Sequence, residues 1–155
     1  MAKLIYGDRI GQTAALRVGA SAVIYDESGQ KVLLTRRTDN GRWCLPGGGM
    51  ELGESAAEAC IREVWEETGL QVTVRRLIGI YTTPHRIIEY ANGSRFQYAS
   101  FSFEAEVVGG ELGLSNETTA FAYYSRAEMA QIDLMEHHIE RIEDAFAAQE
   151  AAFVR

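Results

Sequence analysis

Three glutamates near the middle of the chain, Glu63, Glu66 and Glu67, have a spacing that brings their carboxylates together. On an α-helix, which advances about 100° per residue, these positions fall within an arc of about 100°. Like charges this close repel each other, and a bound cation removes that cost. Hard oxygen ligands suit Mg²⁺ or Mn²⁺, and Mg²⁺ normally shares its shell with water and substrate phosphates. The residues therefore predict a divalent-cation site that hydrolyses a phosphoanhydride.

The three glutamates belong to a longer pattern. Gly48 is followed after five residues by Glu54, and after seven more by the run Arg62-Glu63-Val64-Trp65-Glu66-Glu67-Thr68-Gly69-Leu70. This pattern resembles the signature of the Nudix hydrolases, G-x5-E-x7-R-E-U-x-E-E-x-G-U with U aliphatic, at every fixed position. Seven fixed residues at ordinary abundances match by chance on the order of 10⁻⁸ or less per start position. The resemblance is therefore specific.

The resemblance implies a metal site on a catalytic helix. Glu63, Glu66 and Glu67 would bind Mg²⁺ or Mn²⁺, one of them through water, and Gly48 would contribute its backbone carbonyl. Glycines between a strand and a helix also let the backbone approach phosphate and metal closely.

The resemblance also implies which residues surround that metal. Arg62 would orient the carboxylates of Glu54 and Glu63 through charge-assisted hydrogen bonds. The family places its general base either on the helix or on a distant loop glutamate. Glu63 and Glu117 are therefore equal candidates for the base.

The implied reaction is hydrolysis of a phosphoanhydride in a nucleoside diphosphate linked to another moiety. Small molecules of the ADP-ribose or nucleotide-sugar type are slightly favoured over nucleoside triphosphates and dinucleoside polyphosphates. Two alternatives stay open: a non-catalytic nucleotide sensor on the same fold, and an RNA 5′-end pyrophosphohydrolase. The complete set of acidic positions argues against the sensor, and the missing basic module argues against RNA.

A central helix must carry these glutamates. Residues 55–68 are rich in helix formers and stop at Gly69, a natural C-terminal cap. An apolar stripe beside the acidic one is formed by Ala57, Cys60, Ile61 and Val64. We expect this stripe to pin the helix to the core and to leave the carboxylates at an open edge. Residues 39–53, with five glycines and Pro46, have the composition of a loop.

Strands surround this helix. They are predicted over residues 16–25, 31–37, 71–81, 85–91, 94–108 and 119–124, with a C-terminal helix over about 135–148. A turn at 26–29 would join the first two strands into a hairpin, Asn92-Gly93 predicts a second hairpin, and Gly109-Gly110 predicts a further turn. In the last helix, Ile139, Ile142 and Phe146 have helical spacing. The order favours an α/β sandwich with a mixed β-sheet in a single domain, 1–155. The resemblance implies that this is the Nudix-type α/β/α sandwich.

Composition limits the partners. The chain has 155 residues, with 15 Lys+Arg against 22 Asp+Glu, and a formal net charge of −7. Duplex nucleic acid and anionic membranes both require a basic surface, so neither is expected as a partner. Only Cys44 and Cys60 are thiols, and neither a secretory leader nor a membrane span is evident, so we expect a cytoplasmic protein. The resemblance adds a homodimer as a candidate assembly.

Other side chains have a structural and a functional interpretation. For each of these we expect packing or solvation, with substrate contact as the alternative. They are Trp43, Arg36, Arg37, His85, Arg86, Tyr81, Phe96 and Tyr98. An arginine could bind a phosphate, and an exposed ring could stack on a base. The pair His137-His138 has no third ligand nearby in sequence, which argues against zinc.

Overall fold

Ten strands and three helices form the described part of the chain, residues 2–155 of a computed structural model. The strands are β1 (Lys3–Tyr6), β2 (Ala15–Val23), β3 (Lys31–Arg37), β4 (Trp43–Cys44), β5 (Gly47–Gly49), β6 (Leu70–Tyr81), β7 (Arg86–Glu89), β8 (Arg95–Gly110), β9 (Thr118–Ser125) and β10 (Phe153–Val154). The helices are α1 (Ala56–Thr68), α2 (Arg126–Met129) and α3 (Glu136–Ala147). Within residues 2–155, none of these helices is long and apolar enough to span a membrane.

The strands form two sheets. The larger has the order β1-β7-β8-β2-β5, with β6 pairing with both β8 and β10, and the smaller has the order β4-β3-β9. The β2–β8 and β6–β10 pairs are parallel, whereas β2–β5, β6–β8 and β3–β9 are antiparallel. The mixed sheet is therefore confirmed.

Helices cover the strands from two sides. The helix α1 packs Cys60 and Val64 against Ala20 and Ala22 of β2 in one buried cluster. A second cluster joins Val23 with residues of α2 and α3. Successive side chains of a strand point to opposite faces, so β2 contributes to both clusters. This arrangement confirms the α/β/α fold expected from the sequence.

The expected hairpin of residues 16–25 and 31–37 forms only beside its turn. There, an antiparallel bridge joins Tyr25 and Val32, the Asp26 amide donates to the Lys31 carbonyl, and the Leu33 amide donates to the Ile24 carbonyl. Along the rest of the two strands, β2 pairs with β5 and β8, and β3 pairs with β4 and β9. The last five residues of β2 are buried, so this strand needs neighbours on both sides, and β8 pairs with β2 along the whole length of β2. The sequence indicates the turn at 26–29, but it does not indicate the distant strands that pair with β2 and β3.

Two further expectations need correction. Gly109 and Gly110 do not form a turn of their own, because they pair with Gln71 and Leu70 at the end of the β6–β8 ladder. On α3, Ile139 is 44% exposed, whereas the buried face includes His137, His138 and Arg141 beside Ile142. Hydrogen bonds accommodate two of these polar side chains, because Arg141 donates to Ser21 Oγ and His138 Nδ1 accepts from the Leu45 amide.

The other predicted elements agree with the structure, whereas β1, β4, β5, β10 and α2 were not predicted. The central helix is α1, capped by Ser55 and Gly69, and the C-terminal helix is α3. The strands expected over 71–81 and 119–124 are β6 and β9. The hairpin at Asn92-Gly93 joins β7 to β8, with Ile88 opposite Phe96.

Candidate active site

The acidic side of α1 runs from solvent into the interior. Glu66 is exposed, Glu63 is half-buried and Glu67 is 7% exposed. Glu67 Oε2 accepts a hydrogen bond of 3.0 Å from the Gly47 amide. Burial, followed by the charges of Glu63 and Glu117, raises the pKa of Glu67 to about 8. The expectation that all three carboxylates lie at an open edge is therefore wrong for Glu67.

Arg62 holds the surrounding carboxylates together. It donates to both carboxylate oxygens of Glu54, at 3.0 and 2.7 Å, to Glu63 at 2.9 Å, to Glu66 at 3.1 Å and to the Gly49 carbonyl at 2.9 Å. The hydrogen bonds from Arg62 are the largest cause that lowers the pKa of Glu54, to about 2. These are the contacts with Glu54 and Glu63 that the resemblance implied.

The glycine segment expected to be a loop is the short strand β5, an edge of the larger sheet. Gly47, Gly48 and Gly49 pair with Ser21, Ala20 and Gly19 of β2. A Cβ atom on Gly48 would lie 2.4 Å from the carboxyl carbon of Glu63. An alanine at this position would therefore displace the Glu63 carboxylate, which packs directly on the backbone.

The acidic helix, the glycine strand and the larger sheet enclose a cavity of about 480 Å³. Its lining includes five glutamates and five arginines: Glu51, Glu63, Glu66, Glu67, Glu117, Arg17, Arg37, Arg62, Arg86 and Arg141. Although Glu117 is distant in sequence, its neighbour Thr118 donates from Oγ1 to the Glu67 carbonyl at 3.2 Å. All six of the sequence-predicted site residues, Gly48, Arg62, Glu63, Glu66, Glu67 and Glu117, therefore line one cavity.

The remaining candidates divide between cavity and core. Arg37, Arg86, Phe96 and Tyr98 line the cavity. The other four lie outside it. Arg36 donates to the Gly41 carbonyl, and Tyr81 donates to Asp144. Trp43 packs on Tyr124, and His85 accepts from the Arg9 amide. The packing expected for Trp43 and Tyr81 is confirmed.

Sequence reasoning missed the contribution of α3 to the cavity. His137, His138 and Arg141 all line it, and Arg141 donates to Ser21 Oγ at 3.2 Å. Their one signal in the sequence is the i, i+4 spacing of His137 and Arg141, which places two polar residues on one helix face. A second missed residue, Arg17, lies over the ring of Phe96 at 4.2 Å.

The oxygen donors of the cavity fit a hard divalent cation. Three α1 carboxylates and the β5 backbone line one space, and Gly48 leaves room for Glu63 beside its own backbone. Within residues 2–155, no three acidic, histidine or cysteine side chains form a ready-made metal cage. Mg²⁺ rarely uses such a cage and takes one or two carboxylates together with water and substrate phosphates. The donor set therefore suits a cation that is shared with a substrate.

The fold and the site define a protein class, an α/β sandwich with a carboxylate-lined cavity over a mixed sheet. The NUDIX domain family model matches residues 15–146, so the chain belongs to that family. This confirms the family that the sequence pattern resembles.

Two relatives and one solved structure illustrate the similarity. The chain is 37% identical over 63% of its length to an "ADP-ribose pyrophosphatase" of Methanocaldococcus jannaschii, and 36% identical over 66% to a "Putative 8-oxo-dGTP diphosphatase" of Bacillus subtilis. It spans 56% and 61% of the lengths of these two relatives. A NUDIX hydrolase structure from Nitrosomonas europaea superposes with a TM-score of 0.67 at 32% identity, covering 84% of this chain and 88% of that one.

Proposed function

We propose that this protein is a divalent-metal-dependent pyrophosphohydrolase, in which a water molecule attacks one phosphorus of a nucleoside diphosphate derivative and the phosphate on the other side of the anhydride leaves. The observation that carries the proposal is the convergence of Glu63, Glu66, Glu67 and Glu117 on one cavity that arginines also line. Carboxylates without cations do not attract a phosphate, and arginines alone do not activate water. Both kinds of group in one cavity support phosphoryl chemistry.

Glu63, Glu66 and Glu67, with the Gly48 carbonyl, are the residues that would hold Mg²⁺ or Mn²⁺. When bound, the cation would supply Lewis acidity at the phosphoryl oxygen and a lower pKa for water. Arg62 positions these carboxylates through its contacts with Glu63 and Glu66. The raised pKa of Glu67 means that a proton competes for this carboxylate near neutral pH.

Glu63 and Glu117 remain the candidates for the general base, and their contacts differ. Glu63 accepts a hydrogen bond from Arg62, whereas the Glu117 carboxylate has no hydrogen-bond partner within residues 2–155. An unengaged carboxylate can accept a proton from water without breaking an ion pair. This difference supports Glu117 as the base.

The two candidates can be separated kinetically. We expect Glu117→Gln to lower kcat by 10²–10⁴-fold, the usual contribution of a general base, with little change in Mn²⁺ affinity. Glu63→Gln should instead weaken Mn²⁺ binding, measured by titration calorimetry. If Glu117→Gln keeps wild-type kcat while Glu63→Gln loses activity at saturating metal, Glu63 is the base.

The substrate class we propose is a nucleoside diphosphate linked to a sugar or similar group. Phe96 and Tyr98 line the cavity beside Arg17, and aromatic faces of this kind stack on nucleobases. The relative named an ADP-ribose pyrophosphatase supports this class. A nucleoside triphosphate is the second candidate, supported by the relative named for 8-oxo-dGTP.

A substrate panel tests the activity and the class together. Purified protein with Mg²⁺ or Mn²⁺ is incubated with ADP-ribose, nucleotide sugars, dinucleoside polyphosphates, normal and oxidised nucleoside triphosphates and a 5′-triphosphate RNA, and products are read by mass. We expect cleavage of a small-molecule phosphoanhydride. Cleavage of the RNA alone would favour the 5′-end alternative, and no cleavage of any substrate would contradict the proposal.

Charge-neutral variants of α1 test the sensor alternative. We expect Glu66→Gln and Glu67→Gln each to lower kcat at least 100-fold, because each removes an anionic ligand of the cation. Glu106→Gln is the matched control, since Glu106 is exposed and pairs with Arg75 outside the cavity. A sensor would bind nucleotide in calorimetry and show no turnover for the variants to abolish.

A further inference from the structure

The cavity floor has two chemically different ends. Alternate residues of a strand share a face, so Arg17, Gly19 and Ser21 of β2 lie in one line on the floor. Beside them on β8 lie Tyr98, Ser100 and Ser102 in register. The aromatic end, at Arg17 and Tyr98, and the far end, at Ser21, are four residues apart along β2, or about 13 Å.

Two glutamates of α1, Glu63 and Glu67, lie closer to the far end of this line than to its aromatic end. Gly48 pairs with Ala20 and lies against the Glu63 carboxylate, and Gly47 pairs with Ser21 and donates to Glu67. A substrate whose base stacks at the aromatic end would therefore place its reacting phosphorus near β5. The group on the other side of that phosphorus would reach Ser21.

The far end and the adjoining cavity wall carry guanidinium groups that no carboxylate within residues 2–155 pairs with. Arg141 donates to Ser21 Oγ through Nη1, but its Nε is buried without a hydrogen-bond partner, and so is His137 Nδ1. The carboxylate next to Arg141 in the sequence, that of Glu140, pairs with Arg155 instead, with 3.6 Å between Glu140 Oε1 and Arg155 Nε. Arg86 also lines the cavity and forms no ion pair within residues 2–155.

These groups are unfavourable without an anion. Burial, followed by the charge of Arg86, lowers the pKa of Arg141 to about 10. Burial also lowers the pKa of His137 well below its usual value, so its imidazole is neutral at pH 7 and can donate one hydrogen. Two guanidinium groups and a neutral donor suit a phosphate dianion.

We propose that Arg86, Arg141 and His137 form a subsite for the phosphate group that departs when the phosphoanhydride is cleaved. The assignment rests on the proposed function, because that function defines the departing group. The shared chemistry is a terminal phosphate, carried by a sugar phosphate or by pyrophosphate. The subsite would hold this group while water attacks the phosphorus next to β5.

Binding of inorganic phosphate to the metal-free protein tests the subsite without relying on catalysis. Phosphate is titrated in the presence of EDTA at pH 7.5 and followed by ³¹P NMR and calorimetry. We expect saturable binding that weakens at least tenfold in Arg86→Gln and in Arg141→Lys, which keeps the charge but loses the planar donor fork. Arg75→Gln is the matched control, because Arg75 is exposed and pairs with Glu106.

Arg86→Gln is the decisive variant, since Arg86 is half-buried and its replacement need not disturb folding, which circular dichroism checks. No saturable phosphate binding by the wild type, or equal binding by Arg86→Gln and Arg75→Gln, overturns the subsite. A loss of binding in Arg86→Gln supports it even if the substrate panel shows no cleavage, so the two proposals fail separately. Competition by ribose 5-phosphate or by pyrophosphate identifies which departing group the subsite prefers.

Discussion

The absence of a Cβ atom at Gly48 lets the Glu63 side chain of α1 pack against the sheet edge. We expect Gly48→Ala to weaken Mn²⁺ binding at least tenfold, because the new Cβ would lie 2.4 Å from the Glu63 carboxyl carbon and displace this side chain from Arg62. Calorimetric titration with Mn²⁺ measures the change. Gly49→Ala is the matched control, since no atom lies within 4 Å of its added Cβ. Equal affinities in the two variants would contradict this role for Gly48.

Single residues were predictable where spacing alone brings them together. Glu63, Glu66 and Glu67 share a helix face by periodicity, and the family pattern added Gly48 and Arg62. The burial of Glu67 was not predictable, because it depends on the Gly47 amide, which another element places. Arg141 was missed for the same reason, since its role depends on Ser21, 120 positions away.

Among the elements, α1 has the strongest local signals. Ser55 Oγ accepts from the Glu58 amide at 3.2 Å, and the Glu58 carboxylate accepts from the Ser55 amide at 2.7 Å. We expect Ser55→Ala to lower the free energy of unfolding by about 1 kcal/mol, because the Glu58 amide loses its acceptor. Urea unfolding measures the loss. Ser55→Thr keeps the acceptor and should unfold near the wild-type midpoint, and an equal loss in both variants would argue against capping.

The same local signals explain which elements the sequence predicts. The caps fix α1, and Asn92-Gly93 fixes the turn between β7 and β8. The short strands β4, β5 and β10 were not predicted, because two or three residues carry no periodic pattern. Pairing of β2 with β8 was also missed, since nothing local to residues 15–23 specifies a partner 81 positions later.

For the molecule as a whole, two buried histidines make stability depend on pH. Burial is the main cause that lowers the pKa of both His137 and His138. A histidine with a lowered folded pKa stabilises the protein fully above its unfolded pKa of 6.5, and the stability falls as pH drops below that value. We expect wild type to lose about 1.4 kcal/mol more than His138→Asn between pH 7.5 and 5.5, measured by urea unfolding.

The comparison with the variant is needed because protonation of Glu67 changes the stability in the direction opposite to that of the histidines. Its pKa of about 8 means that the folded state keeps a proton in this range that the unfolded state has lost, so stability rises as pH falls. The replacement of His138 by Asn leaves that contribution in place and retains an acceptor for the Leu45 amide, which donates to His138 Nδ1. Parallel pH curves for the two proteins would contradict the prediction.

The position of β2 between β5 and β8 has a consequence for biosynthesis. The cavity floor needs β8, whose last residue, Gly110, follows Val23 by 87 positions. At a translation rate of about 5–20 residues per second, β2 waits about 4–17 s on the ribosome before its parallel partner exists. During that interval the residues 20–23, which are buried in the folded protein, lack one of their two neighbouring strands. The nascent chain should therefore be most susceptible to aggregation, and most dependent on chaperones, before residue 110 emerges.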